Sequence, residues 1–145
     1  MHLFRKTVFV GVIASTLACH DLAAPPTPPT SYALDNINGR PLPTFFSPIP
    51  EAPTIISAIL QLEPSGGAKL TEHRNQMAGG DVTYTSNYTY KIIGNEIQFD
   101  YNPPCPINAL CVEPPKGTIA GSRLSLAMNG SSSGIVYNFR LIAPD

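Results

Sequence analysis

The segment from Asp81 to Ile93 constrains this chain more than any other, because its side chains alternate in chemistry along almost its whole length. Val82, Tyr84, Tyr88, Tyr90 and Ile92 fall on one face, and Thr83, Thr85, Asn87, Thr89 and Lys91 on the other; Ser86 is the one small polar residue in the apolar set. A period of two is the signature of a strand with one buried face. Gly94-Asn95 follows, a two-residue reversal of the glycine-first kind found in tight hairpins. Glu96 to Tyr101 then returns, with Ile97, Phe99 and Tyr101 inward and Glu96, Gln98 and Asp100 outward. A hairpin with one buried face is not stable alone, so the rest of the chain must supply more sheet.

It does so from Ser31 onwards, and no stretch there repeats at the spacing of an amphipathic helix. Strands are expected at 31–37, 40–46, 54–63, 68–74, 81–93, 96–101, 117–128 and 135–142. Asn38-Gly39 is a type I′ turn signal after the first of them. Segment 54–63 sets Ile56, Ala58, Leu60 and Leu62 on one face, and Pro64-Ser65-Gly66-Gly67 turns it into the next strand. Segment 117–128 supplies Leu124, Leu126 and Met128, with Gly121 read as a bulge or kink. The last segment alternates Ile135, Tyr137, Phe139 and Leu141 against Asn138 and Arg140. Charged residues are only 13% of the chain, while Gly and Pro number 11 and 16, a balance that favours loop-rich β structure over helix.

The expectation is an all-β fold, a single small antiparallel up-and-down β-barrel of about eight strands, with a β-sandwich as runner-up. An outer-membrane barrel would turn its apolar faces outward. Here the opposite faces carry Thr, Lys, Glu, Gln, Asp and Arg on strands mostly too short for such a span, which points to the soluble kind.

The N-terminus supplies an address. Arg5 and Lys6 precede a short apolar run to Leu17, and Ala18 precedes Cys19. That is the order of a secretory signal, and the small residue before the cysteine resembles the lipobox of bacterial lipoproteins, in which the cysteine is acylated and becomes the new N-terminus. The apolar run is too short to span a bilayer, which needs about 20 residues. Ordinary cleavage before Cys19 is the alternative; a later cut after Ala24 is worse, with Leu22 at −3 and Pro25 just beyond the bond. The organisation expected is a signal peptide at 1–18, the lipidated Cys19 with a Pro-rich tether at 19–30, and a barrel domain at 31–145. His20 to Thr30, which contains Ala23-Ala24-Pro25-Pro26-Thr27-Pro28-Pro29-Thr30, reads as an extended spacer of roughly 30 Å at ~3 Å per residue.

The motif Tyr32-x-Leu34-x-x-Ile37-Asn38-Gly39-x-Pro41-Leu42-Pro43 behind that signal is similar to the opening of small bacterial lipocalin-like lipoproteins. Gly117-Thr118-Ile119 and Tyr137-x-Phe139-Arg140 fit the same pattern, which covers most of the mature chain. The resemblance implies a barrel held at the cell envelope, exported and lipid-anchored at the outer membrane, facing periplasm or surface. The chain has no Trp, so the Gly-x-Trp signature of lipocalins is absent. With Cys19 acylated, Cys105 and Cys111 remain as a pair that an oxidising periplasm can close into a disulfide, worth about 2 kcal/mol for so short a ring. Two buried thiols are the alternative; the spacing does not suit a zinc site.

Function is less legible. Loss of the leader removes Arg5 and Lys6, leaving 7 basic residues against 10 acids, so no basic footprint for nucleic acid or an anionic membrane is present. No Gly-x-Ser-x-Gly elbow occurs. The segment from Ser65 to Thr71 lacks the Gly-Lys-Ser/Thr ending of a phosphate loop. Glu72-His73-Arg74 reads as a solvated strand end, with Glu72 and His73 on opposite faces. No enzyme, cofactor or metal site is expected. Asn87-Tyr88-Thr89 and Asn129-Gly130-Ser131 match a glycosylation pattern that means little behind a bacterial-type signal.

Two binding candidates remain. Tyr84, Tyr88, Tyr90, Phe99, Tyr137 and Phe139, with Tyr101, either line a mouth that takes a small amphipathic ligand or simply fill the barrel. The Cys105–Cys111 loop, flanked by Pro103-Pro104 and Pro114-Pro115, either presents Ile107 to Leu110 to an envelope protein or protease, or is a long loop held by a staple.

Overall fold

Alternation sets the strands of this chain and turn chemistry sets their order. In the computed structural model, which describes residues 29–45, 53–76, 79–129 and 134–142, ten strands follow one another: β1 Thr30–Ile37, β2 Arg40–Pro41, β3 Thr44–Phe45, β4 Thr54–Leu62, β5 Gly67–Gln76, β6 Gly80–Ile93, β7 Glu96–Tyr101, β8 Lys116–Ala120, β9 Arg123–Met128 and β10 Ile135–Ile142. Antiparallel pairing runs β1, β10, β9, β8, β7, β6, β5, β4. The circle closes where β4 returns to β1, Leu62 opposite Thr30 and Ile59 opposite Ala33. Eight strands therefore make a closed up-and-down barrel, and β2 and β3 hang on β1 and β4 as short extras. Cys19 and the segments expected to form a signal peptide and a tether, up to Pro28, lie outside the described residues.

The two ends of the barrel differ. One end holds Thr30, Ser31 opposite Ile142, and the tight turns after Leu62, Ile93 and Ala120; we call it the closed end. The other, the loop end, receives the connections that leave Ile37, Gln76, Tyr101 and Met128. Inside, Tyr32, Leu60, Leu62, Leu70, Ile97, Phe99, Leu124, Leu126 and Phe139 pack as one apolar core. The β6–β7 hairpin has the expected register, Ile92 opposite Ile97 and Tyr90 opposite Phe99. Asn38 and Gly39 both take positive φ, as a type I′ turn requires.

The strand count agrees with the sequence reading, but its membership does not. Segment 117–128 is a hairpin rather than one kinked strand: β8 and β9 reverse at Gly121-Ser122, Gly121 with φ of +59°. Segment 40–46 does not supply a barrel strand. Pro41 and Pro43 have no N–H to give to a ladder, and among the described residues 40–45 only the two-residue pieces β2 and β3 form, on either side of Leu42-Pro43. In β4 a register shift between Ile55 and Ser57 turns Ile55 into the core and Ile56 outward, reversing the face expected for Ile56. Leu141 is exposed where β10 runs out at the closed end.

Candidate functional site

The inward face of β5 reads Ala68, Leu70, Glu72, Arg74, so the strand's own period carries a carboxylate into an apolar barrel. Glu72 is only 4% exposed. A buried charge is tolerated when its oxygens are matched by donors, and both are. The Tyr137 hydroxyl donates to Oε1 at 2.8 Å, and Arg74 Nη2 donates to Oε2 at 2.7 Å. The Arg74 guanidinium lies 4.7 Å from the centre of the Tyr84 ring, and Gln76 Nε2 donates to the Tyr84 hydroxyl. Because β5 and β10 are not neighbours in the barrel, the Tyr137–Glu72 bond crosses the lumen as a bar. Most of the apolar core lies toward the closed end of it; toward the loop end lie Arg74, Gln76 and Tyr84, with the buried side chains of Ile55 and Met128.

The six aromatic candidates divide accordingly. Tyr88, Phe99, Tyr137 and Phe139 are buried. They pack on one another, Tyr88 edge-on to Phe99 at 5.6 Å between ring centres and Tyr137 against Phe139 at 6.1 Å. Tyr90 is half-buried and donates its hydroxyl to the Glu63 carbonyl at the closed end, 2.9 Å away. Tyr84 alone of the six is exposed, at 38%, on the loop-end side of the bar. The structure thus brings four of them together as barrel filling. Glu72 and Arg74 were missed as inward groups: continuing the alternation of Ala68 and Leu70 by two more steps would have found them. His73 points outward, 3.0 Å from Thr83 Oγ1, as a solvated strand position should.

Burial raises the pKa of five tyrosines, Tyr32, Tyr88, Tyr90, Tyr101 and Tyr137, because ionised phenolates would lose their hydration. Tyr137 is raised furthest, by burial first and then by the Glu72 carboxylate beside it. With folded-state values above the unfolded value of about 10, the unfolded chain holds fewer protons than the native one above that pH. These groups therefore leave stability unchanged below pH ~10 and lower it as pH rises further. Phenolate absorbance and loss of near-ultraviolet circular dichroism are expected to rise together in one cooperative alkaline transition. Full phenolate absorbance with the dichroism intact would contradict this account.

At the same loop end, residues 102–115 join β7 to β8. Cys105 and Cys111 are disulfide-bonded, Cα atoms 6.2 Å apart, and within the ring the Ala109 N–H donates to the Pro106 carbonyl at 3.0 Å. The base is tied to the barrel, Asn102 N–H to Asn87 O at 3.0 Å and Phe99 N–H to Pro115 O at 3.2 Å, and Lys116 pairs with Glu113. On this braced ring Ile107 is 102% exposed and Leu110 107%, with Val112 also exposed. No group of three His, Cys, Asp or Glu side chains suited to a metal ion occurs among the described residues.

No family model, curated protein or solved structure matches the chain. Its class rests on architecture: a small closed eight-stranded antiparallel β-barrel, lipocalin-like in form, with a plugged lumen and one disulfide-closed loop.

Proposed function

We propose that this chain is an exported, non-catalytic lipoprotein of the bacterial cell envelope, acylated at Cys19, whose barrel is a rigid scaffold that presents the Cys105–Cys111 loop to a protein partner. The observation that carries the reading is the full exposure of Ile107 and Leu110 on a disulfide ring at the barrel end opposite Thr30. A chain anchored ahead of Thr30 is held by its closed end, so the loop faces away from the membrane. The ring, its prolines and its tied base hold the loop ordered before binding, so little conformational entropy remains to be lost in a complex. Apolar tips kept in water have their natural counterpart in a pocket on a partner.

The test uses full-length protein extracted from membranes. Intact mass is expected to match residues 19–145 with acyl chains and one disulfide. A photo-crosslinker at Asn108 is expected to capture one partner, with capture falling more than tenfold in Ile107→Asp and Leu110→Asp, whose circular dichroism matches the parent. An unacylated mass overturns the anchor; capture indifferent to both substitutions overturns the loop. A second reading is favoured by Tyr84, exposed over the Arg74 guanidinium at the mouth: a small amphipathic ligand rests there, above the Tyr137–Glu72 bar. An apolar fluorescent probe displaced by lipid extract from the parent and not bound by Tyr84→Ala would support it.

A further inference from the structure

The outer face of β8, β9, β10 and β1 carries a feature that neither the loop nor the lumen explains. Arg123 on β9 stands directly opposite Arg140 on β10. Both are exposed and outward, since their neighbours Leu124 and Phe139 are buried. Like charges directly opposite in an antiparallel pair repel. Asp35 relieves one of the two, its Oδ1 accepting from Arg140 Nη2 at 3.0 Å. Among the described residues no carboxylate is paired with Arg123. Arg123, Arg140 and Asp35 line a hollow of about 150 Å³, together with Thr118, Ser125 and Asn138.

The floor of the hollow is fixed. Ser125 Oγ donates to Asn138 Oδ1 at 2.8 Å, and Asn138 Nδ2 donates to Asn36 Oδ1 at 2.8 Å, a side-chain chain across three strands. Asn36 Oδ1 also accepts from the Gly39 N–H at 3.0 Å. A register shift between Leu34 and Asn36 opens β1 at this point, and such irregularities re-aim side chains near functional sites. Asp35 holds Arg140 from the β1 side, so of the charged residues lining the hollow two are basic and one is acidic. Guanidiniums present planar sets of N–H donors that suit a tetrahedral or planar oxyanion.

We propose that this hollow binds a small oxyanion of the phosphate class, gripped by Arg123 and Arg140 together and braced by Asp35. The site lies toward the closed end, near the Gly121-Ser122 turn and Ile142, so the phosphate can come from a free phosphomonoester or from a lipid headgroup. The proposal stands independently of the loop and of the anchor. Titration of the full chain with inorganic phosphate at low ionic strength, followed by amide chemical shifts, is expected to saturate with shifts centred on 123–125 and 138–140. Arg123→Gln and Arg140→Gln are each expected to weaken it at least tenfold, and Lys91→Gln, on another strand, to leave it unchanged. Non-saturating shifts, or equal weakening by Lys91→Gln, overturn the site, since either marks diffuse charge rather than a grip. Sedimentation of the unacylated Cys19→Ser chain with phosphatidylcholine vesicles with and without phosphatidic acid separates the sources. Capture that needs phosphatidic acid and Arg123 assigns the headgroup, and no capture alongside phosphate saturation assigns the free anion. Capture indifferent to Arg123→Gln rules out the headgroup at this hollow.

Discussion

Glu72→Ala is expected to lower the unfolding free energy by about 3–5 kcal/mol, the usual cost of removing one partner from a buried ion pair. The carboxylate bridges two strands that are not paired in the sheet. Its loss takes the acceptor from the Tyr137 hydroxyl, on a residue that is 0% exposed, and the counter-charge from Arg74. Arg74 keeps a side-chain exposure of 20%, so water can reach it, which favours the lower end of that range. Tyr137→Phe removes only one hydrogen bond and should cost less, about 1–3 kcal/mol, because Glu72 Oε1 is then left facing a ring edge. The double change Glu72→Leu with Arg74→Met is expected to recover most of the loss, since apolar replacement of a whole buried pair is often neutral or better. Urea denaturation of the three variants checks the order. A Glu72→Ala variant as stable as the parent would show that the bar across the lumen is not part of what holds the barrel shut.

What sequence reasoning reached and what it missed follow from the range of the interactions involved. The β6–β7 hairpin was legible because both of its determinants are local: alternation along Val82 to Ile92, and a two-residue turn at Gly94-Asn95. Closure of the barrel was legible only as a count, since the β1–β4 pairing that closes it joins Thr30 to Leu62 and leaves no mark in either segment. The β4 face was misread for the same reason. A bulge at Ile55 to Ser57 is set by how β4 pairs with β5, while Ile56, Ala58, Leu60 and Leu62 look like an unbroken alternation when read alone. Splitting of 117–128 into two strands turned on taking Gly121 as a turn residue rather than a kink, a choice that pattern alone leaves open.

The functional candidates show the same division. The Cys105–Cys111 pairing came from counting, and the ring is closed as expected. Exposure of Ile107 and Leu110 followed from the prolines around them, which keep that segment out of the sheet. The polar bar was overlooked because Glu72, His73 and Arg74 together look like a charged surface run, although the alternation that runs on from Ala68 and Leu70 already places Glu72 inside. The Arg123–Arg140 pair was equally out of reach, since its two members meet only through the β9–β10 register.

Gly117→Ala is expected to be among the most damaging single changes in the domain, at least about 3 kcal/mol, beyond the common range for overpacking because backbone rather than a side chain is in the way. Gly117 lies in β8 between Ile97 on β7 and Leu126 on β9, residues that are 0% and 1% exposed. A Cβ built there overlaps the Ser125 carbonyl oxygen and comes 2.7 Å from Leu126 Cδ2 and 2.9 Å from the Ser125 carbonyl carbon. Side chains can change rotamer, but Ser125 can move only if β9 moves, and β9 is held by β10 on its other edge. A glycine inside a strand marks such close approach. Gly121, four residues on, is the control: its φ is +59° but nothing lies within 4 Å of a Cβ there, so Gly121→Asn is expected to cost no more than about 1–2 kcal/mol. A small domain of this kind has about 5–15 kcal/mol of stability in all, so Gly117→Ala should show a clear drop in its denaturation midpoint or fail to fold, while Gly121→Asn folds normally. If Gly117→Ala unfolds within about 1 kcal/mol of the parent, β8 and β9 are not packed as closely as the barrel requires, and the closed circuit itself would need to be redrawn at that pair.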